Sequence, residues 1–274
     1  LSIALFQPRS DIVVTMTDPP LLVVVGQFIS MIKGSRHVHW CQDLYPDLFP
    51  VLGYPKILKP MTGWLSNWAL RKCDKVVVVG RCMARIVAKK NVPVGKITVI
   101  PNWYNPLQKN NKIRKRPSKQ RKRPQKKEIT VPKKEQDVMF DETQKFRVLY
   151  AGNIGRGHEI NTMMDAAKSI QDKQDDVEFV FVSNKSSHDK LNAAKNEKGV
   201  NNLRLIPFQP ESALKTLMES GDVHIISLNE EAEGMMVPSK FYSALAANRP
   251  SIFIGPKHSE IAKIITDFDC GCAI

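Results

Sequence analysis

The chain lacks the features that would place it in a membrane or in a disulfide-bonded scaffold. Its longest apolar run, residues 21–32, is interrupted by Gly26 and Gln27 and is too short to cross a bilayer. The five cysteines are scattered, odd in number and without a CxxC pair. Such cysteine usage argues against a disulfide framework and favours a reducing compartment. We therefore expect a cytoplasmic protein.

Acidic residues are almost absent from one stretch of the chain. Residues 109–134 contain 13 Lys or Arg and one Glu, a net charge of +12, so the remaining residues carry only +2 of the total +14. The stretch has no apolar periodicity, and we interpret residues 105–140 as a flexible, self-repelling linker. Its cations suit nucleic acid, an anionic membrane surface or plain solvation. Because it has no interleaved aromatic residues, we expect no nucleic-acid partner; a peripheral position on the inner face of the plasma membrane remains an alternative.

The rest of the chain reads as two α/β halves, residues 1–104 and 141–274. In both halves short β-branched runs alternate with helical patterns, which is typical of parallel sheets covered on both faces. The expected strands are 11–16, 36–42, 74–80, 96–102, 146–152, 177–183, 202–208, 222–228 and 251–256. Two Rossmann-like domains of this kind face a cleft at the carboxyl ends of their strands, where ligands bind.

The chemistry that the sequence offers does not include a metal site or a catalytic triad. His37 and His39 alternate along an expected strand and have no acidic or cysteine partners at ligand spacing. No Ser-His-Asp or Cys-His pairing is evident. We therefore expect neither a metal nor another cofactor.

Two loops at the same expected sheet edge suit an anion. The first, YAGNIGRGHE (150–159), runs from strand through a glycine-rich turn to helix, so backbone N–H groups can approach a phosphate. The second, EGMMVPSK (233–240), places Lys240 at a helix start. Each loop also has a purely structural interpretation. The first can be a tight turn between strand and helix, and in the second Pro238 can occupy the first helical turn while Lys240 is solvated.

Two further loops are ambiguous. LIPFQP (205–210) ends a strand with Phe208, which can stack on a base but on its own is more often a core residue. HWCQDLYPDLFP (39–50) offers Asp43 and Asp47 as groups that orient hydroxyls or act as a base. Aspartates in such proline-bounded turns are more commonly helix caps.

Taken together, the ordered motifs resemble family 4 of the GT-B glycosyltransferases, in particular the bacterial sugar transferases of O-antigen, capsule and colanic-acid-type polysaccharide synthesis. The matching segments cover nearly the whole chain outside the basic stretch. They are QDLYPDLFP, KCDKVVVVGRCM, ITVIPNW, YAGNIGRGHE, LIPFQP, DVHIISL and GMMVPSKFYSALAANRPSIFIGPKHSEIAKII.

The resemblance implies retaining, metal-independent transfer of a sugar from a nucleotide donor, usually UDP-linked, to a glycan or polyprenyl-linked acceptor. By position, the diphosphate would be contacted by Gly152, Asn153, Gly155, Arg156 and Lys240. Phe208 and Gln209 would lie beside the base. The sugar would meet Glu233, Gly234, Met235 and Met236, with Ser239 close by. Glu260 would contact the ribose or the phosphate loop, and Asp43 and Tyr45 would lie on the acceptor side.

The chain departs from the family pattern at three places. A second glutamate of the sugar loop falls at Phe241, and the usual arginine after the first glycine is Asn153. The first strand, with its acceptor loop, and the last helices of the family would lie beyond residues 1 and 274. We therefore expect an incomplete N-terminal domain and a fragment whose catalytic activity is in question.

Overall fold

The computed structural model describes residues 7–55, 57, 59–104, 145–154, 160–174 and 176–274. The whole of the expected linker, 105–140, lies outside the described residues. The described chain forms two parallel sheets, one on each side of that stretch. The predicted α/β fold class with parallel sheets is therefore confirmed, and the bounds of the two halves stay a prediction.

The first sheet has four parallel strands in the order β1-β2-β3-β4. They are Ile12–Thr15 (β1), Arg36–Cys41 (β2), Lys75–Val78 (β3) and Ile97–Val99 (β4). The helices of this domain are Leu22–Lys33 (α1), Phe49–Leu52 (α2), Lys59–Lys72 (α3) and Arg81–Lys89 (α4). The helical patterns of residues 20–32 and 81–92 predict α1 and α4, whereas no pattern predicted α3.

The second sheet has six parallel strands in the order β10-β9-β8-β5-β6-β7. They are Phe146–Ala151 (β5), Val177–Ser183 (β6), Leu203–Pro207 (β7), Val223–Ser227 (β8), Ser251–Ile254 (β9) and Gly271–Ala273 (β10). Its helices are Ile160–Gln171 (α5), Lys185–Lys198 (α6), Glu211–Glu219 (α7), Lys240–Ala246 (α8) and Glu260–Phe268 (α9). The short, partly exposed β10 and the polar helix α6 were not predicted.

The strand order of the second sheet reverses between β5 and β8. From β5 the chain moves to β6 and β7 on one side, and then returns to β8, β9 and β10 on the other. In open parallel sheets a crevice forms at the carboxyl ends of the strands at such a reversal. The loops after β5 and β8 are the two that the sequence analysis selected for an anion.

The hydrophobic core joins the two domains. One cluster of buried side chains contains Val76 and Met83 from the first domain together with Phe241 and Phe253 from the second. Because both domains contribute to this cluster, burial of apolar surface between them stabilises their relative position. Within the described residues, no helix combines the length and apolar character needed to span a bilayer.

Candidate active site

Lys240 lies at the centre of the crevice between β5 and β8. It is the first residue of α8, and its Nζ donates hydrogen bonds to Tyr150 Oη at 2.8 Å and to the Asn153 carbonyl oxygen at 3.2 Å. The same ammonium lies 4.5 Å from the centroid of the Tyr150 ring, a cation–π distance. Gly152 makes this approach possible: a Cβ there would overlap Lys240 Cε, and its φ of 137° favours glycine. The loops after β5 and β8 therefore meet at Lys240.

Burial lowers the pKa of Lys240 from 10.5 to about 8. Desolvation of the ammonium is the cause of this shift, and a phenol oxygen and a carbonyl oxygen are two of its neighbours. An anion that entered beside Nζ would favour the charged form and raise the pKa again. The site is thus suited to gain a negative ligand.

A cavity of about 140 Å³ opens beside Lys240, within the second domain. Its wall comes from the carboxyl ends of three strands and from the helices α7 and α8. The lining residues are Ala151, Gly152, Val182, Phe208, Gln209, Leu214, Leu217, Met218, Lys240 and Ser243. Four of the predicted donor-site residues, Gly152, Phe208, Gln209 and Lys240, therefore share one cavity.

Phe208 is not a core residue, contrary to what its context alone favoured. It follows the last residue of β7, and 51% of its surface is exposed. Because the strand ends at Pro207, the ring extends past the sheet edge instead of packing into it. Gln209 next to it donates from Nε2 to the Pro207 carbonyl oxygen at 2.7 Å, which fixes the turn.

The loop that the resemblance assigns to the sugar lies against the first domain, outside the wall of this cavity. Glu233 ends the 3₁₀ turn Glu230–Ala232, and Gly234 follows with a φ of +71°. A Cβ at Gly234 would come within 2.5 Å of Ile86 Cδ1, so a side chain there would displace the Ile86 side chain of α4. The loop thus depends on glycine for close domain contact.

The same loop directly contacts the segment that the resemblance assigns to the acceptor side. The Leu44 N–H donates to the Met235 carbonyl oxygen at 2.7 Å, and Asp43 and Met236 form an antiparallel bridge. Burial, with the charge of Asp18 as a smaller cause, raises the pKa of the Asp43 carboxyl to about 6. Burial, assisted by Asp43, raises the pKa of Tyr45 to about 12. A carboxylate with a pKa near neutrality can accept a hydroxyl proton.

Glu260 makes a contact with the other domain that the sequence analysis did not predict. It is buried at the start of α9, where one carboxylate oxygen accepts from the Arg81 backbone N–H at 2.5 Å and the other from Arg81 Nε at 2.9 Å. Arg81 also pairs with Asp267 at 3.0 Å. Glu260 therefore caps helix α4 of the other domain, since the N-cap residue Gly80 has no side chain to do so. The expected contact of Glu260 with the ribose or the phosphate loop stays a prediction.

Two of the predicted contacts, Gly155 and Arg156, lie outside the described residues. Ser239 is exposed at the N-cap of α8 and makes no side-chain capping bond. Tyr150 was missed because a tyrosine at the end of a buried strand reads as core. The one available signal was its position two residues before the glycine turn, at the sheet edge.

The two histidines of β2 belong to a buried polar cluster. Thr15 Oγ1 lies 2.8 Å from His37 Nε2 and 3.0 Å from His39 Nδ1, and Gln27 Oε1 lies 3.0 Å from His37 Nδ1. Burial lowers the pKa of His37 to about 4 and that of His39 to about 3, so both are neutral at pH 7. In the described part of the chain, no group of three or more His, Cys, Asp or Glu side chains is arranged to hold a metal ion.

Two parallel-sheet domains, with a cavity at the strand reversal of the second, have the architecture of the GT-B glycosyltransferases. HepE of Anabaena, solved in complex with UDP-glucose, matches with a TM-score of 0.62 at 14% identity, over 93% of this chain and 62% of HepE. Sucrose-phosphate synthase of Thermosynechococcus elongatus matches with a TM-score of 0.66 at 12% identity, over 96% of this chain and 60% of the synthase. At these identities the likeness shows the fold.

The sequence shows the family. Residues 2–106 match Glycosyltransferase Family 4, and residues 132–273 match Glycosyl transferases group 1. The chain therefore belongs to the family 4-type GT-B glycosyltransferases, as its motifs predicted.

Two curated proteins are similar along most of the chain. WbjE of Pseudomonas aeruginosa, named a probable glycosyltransferase, is 25% identical over 96% of this chain. WcaI of Escherichia coli, named as a colanic acid biosynthesis glycosyl transferase, is 22% identical over 91% of this chain. The chain spans 62% of the length of WbjE and 59% of that of WcaI.

Proposed function

We propose that this chain holds the donor site of a glycosyltransferase that moves a sugar from a UDP-linked donor to a glycan or polyprenyl-linked acceptor. One observation carries the proposal: a buried ammonium, that of Lys240, lies over Gly152 in a cavity at the strand reversal. A nucleoside diphosphate is the ligand class that matches a cation, a glycine-lined approach and an adjacent exposed ring.

The diphosphate would lie beside Lys240 and the backbone of Gly152 and Asn153. Helix α8 has only seven residues, so the point charge of Lys240 contributes more than the helix dipole. With phosphate there, the base would extend along the cavity towards Phe208, whose half-exposed ring can stack on it. UDP-glucose in the structurally similar HepE supports a UDP-linked donor.

In the transfer step the bond between the anomeric carbon and the β-phosphate oxygen breaks, and a bond to the acceptor hydroxyl oxygen forms. We propose that the acceptor proton moves to the leaving diphosphate on the same face of the sugar, which retains the anomeric configuration. Negative charge then builds on the diphosphate, and Lys240 stabilises it more in the transition state than in the ground state. This ammonium is the reason for proposing a metal-independent reaction.

The sugar would lie where the Glu233–Met236 loop meets the first domain. The hydrogen bond between Leu44 and Met235 supports this proposal, because it joins the loop to the segment that is proposed to face the acceptor. Asp43 can then accept a hydrogen bond from an acceptor hydroxyl. Because its pKa is raised to about 6, close to neutral pH, its carboxylate can also accept a proton from that hydroxyl. Glu233 is proposed to contact the donor sugar.

Calorimetric titration of the chain with UDP, GDP, ADP and UDP-glucose tests the proposal. We expect saturable binding of UDP and UDP-glucose that is weakened about tenfold or more by Lys240→Met and unchanged by chelation of divalent cations. Lys215→Met, which removes an exposed lysine of α7, is the matched control. UDP binding that Lys240→Met leaves unaltered would refute the assignment.

A further inference from the structure

A second cavity lies in the first domain, between the segment that follows β2 and the helix α3. It has a volume of about 410 Å³, and its lining includes Asp47, Trp64, Asn67 and Lys90. Sites for small ligands commonly have volumes of about 300–1,000 Å³ and combine an aromatic surface with a few polar groups. The proposed transfer reaction does not use this cavity, so its composition needs its own explanation.

The charges in this cavity are paired. Lys90 Nζ lies 2.7 Å from Asp47 Oδ2, and both side chains are mostly buried. Because the carboxylate neutralises this ammonium, a phosphate that entered here would meet a negative charge. A further lysine of the lining, Lys59, is exposed, so water and salt screen its charge. The chemistry therefore favours a neutral ligand with hydroxyl groups, which can donate to the carboxylate and accept from the ammonium.

Asn67 supplies a hydrogen-bond acceptor to the same cavity. Its Oδ1 is buried and has no hydrogen-bond partner within the described parts of the chain. A buried polar atom without a partner is unfavourable, and a bound hydroxyl group would satisfy it. Asn67 follows Trp64 by three positions in α3, so the two side chains are neighbours on the helix surface. The cavity thus places an acceptor beside an aromatic ring.

Gly63 leaves room in the cavity at a position where packing does not require glycine. It lies in the interior of α3, where glycine stabilises a helix less than alanine does. A Cβ at Gly63 would meet Pro46 Cγ at 3.9 Å, an ordinary contact distance. Because Gly63 lines the cavity, the absence of a side chain keeps space open for a ligand.

We propose that this cavity, which we call the Trp64 cavity, binds a pyranose ring of a glycan. A pyranose has apolar C–H faces and a rim of hydroxyl groups. One face would lie against the indole of Trp64, whose surface is 65% exposed. The hydroxyl groups would donate to Asp47 and Asn67 and accept from Lys90.

The Trp64 cavity adjoins the segment that is proposed to face the acceptor. Ser66 Oγ of α3 donates to the Tyr45 carbonyl oxygen at 3.2 Å, and the next two residues of that segment, Pro46 and Asp47, line the cavity. We therefore assign the bound pyranose to a unit of the acceptor glycan away from its reacting hydroxyl. This assignment to the acceptor rests on the proposed function, whereas binding of the pyranose does not, because the Trp64 and Lys240 cavities share no lining residue among those described.

Saturation-transfer NMR tests the proposal on the full chain, with the methyl α-glycosides of glucose, mannose and galactose as probes. Their anomeric oxygen is substituted, as it is in a glycan. In the presence of excess UDP, at least one probe should receive saturation that Trp64→Ala lowers about fivefold or more. The matched control is Trp103→Ala, which removes a 61% exposed indole from the same domain and should leave the signal unchanged. Glycerol, which has hydroxyl groups but no ring face, should receive none.

Two further variants separate binding from folding. Asn67→Leu removes the carbonyl acceptor, and Gly63→Met fills the cavity with the side chain of a good helix former. Both should lower the saturation transfer about fivefold or more. Neither should lower the urea midpoint, because Asn67 Oδ1 has no described partner to lose and methionine favours the helix. UDP affinity should equal that of the wild type in both.

Four results would overturn the proposal. The first is a wild type that transfers saturation to none of the three glycosides, and the second is an equal loss in Trp64→Ala and Trp103→Ala. The third is displacement of the glycoside by inorganic phosphate, which would indicate an anion site. The fourth is transfer to glycerol as strong as that to the glycosides. A wild type that binds a glycoside in the Trp64 cavity but does not bind UDP would refute the proposed function and support this proposal.

Discussion

The depressed pKa of Lys240 predicts that UDP binding weakens as the pH rises through about 8. With that pKa, roughly nine-tenths of the side chains are ammonium at pH 7 and about one-tenth at pH 9. If UDP binds only the charged form, its Kd rises about tenfold between these two values. A charge-assisted hydrogen bond contributes about 1.5–3 kcal/mol, which corresponds to a factor of about 10 to 150 and leaves room for the full effect.

Proton uptake gives a second, independent readout of the same effect. The bound diphosphate raises the pKa of Lys240, because an opposite charge stabilises the ammonium. At pH 8 about half of the free protein lacks this proton, so each UDP that binds should bring about half a proton with it. Calorimetry in two buffers of different ionisation enthalpy measures this number directly.

Lys240→Met isolates the contribution of the side chain. Its UDP affinity should be low at pH 7, independent of pH up to 9, and free of proton uptake at pH 8. Lys215→Met should behave as the wild type, because its ammonium is exposed on the outer side of α7. A wild-type Kd that stays constant from pH 7 to 9, without proton uptake, would refute this reasoning.

Three other substitutions test the surroundings of the site. Tyr150→Phe keeps the ring beneath Lys240 but removes the hydroxyl that accepts a hydrogen bond from the ammonium. UDP affinity should therefore fall about threefold to tenfold in calorimetry, and an unchanged Kd would argue against a positioning role for Tyr150. Gly152→Ala should displace Lys240 and strain the backbone. The unfolding free energy in urea should fall by about 1–3 kcal/mol, and most UDP binding should be lost. Wild-type stability and binding would contradict the close approach of Lys240 to Gly152. Glu260→Gln should lower the unfolding free energy by about 2 kcal/mol, a moderate loss because water screens the half-exposed Arg81, and should leave UDP affinity unchanged. An unaltered urea midpoint would show that the ion pair between the domains is not stabilising.

Much of the fold follows from local sequence patterns. The β-branched runs at 74–80, 177–183 and 222–228 predicted strands, and the structure has largely buried strands there. Helix α3 escaped prediction because apolar residues occur on both of its faces, which removes the one-sided period of an ordinary surface helix. The polar α6 escaped for the opposite reason, since only Ser187 and Leu191 are buried along it.

The candidate site was predictable as far as it depends on loops that follow neighbouring strands. Gly152 and Lys240 could be paired because both follow strands that end at one sheet edge. The bond between Glu260 and Arg81 could not be, since it joins residues 179 positions apart on different domains. The exposure of Phe208 could not be predicted either, because it depends on where β7 ends relative to the cavity.

A crystal structure of the chain with UDP tests the central claim most directly. We predict a phosphate oxygen within about 3 Å of Lys240 Nζ, with the uracil beside Phe208. UDP bound elsewhere, or UDP in the cavity with its phosphates turned away from Lys240, would contradict the account.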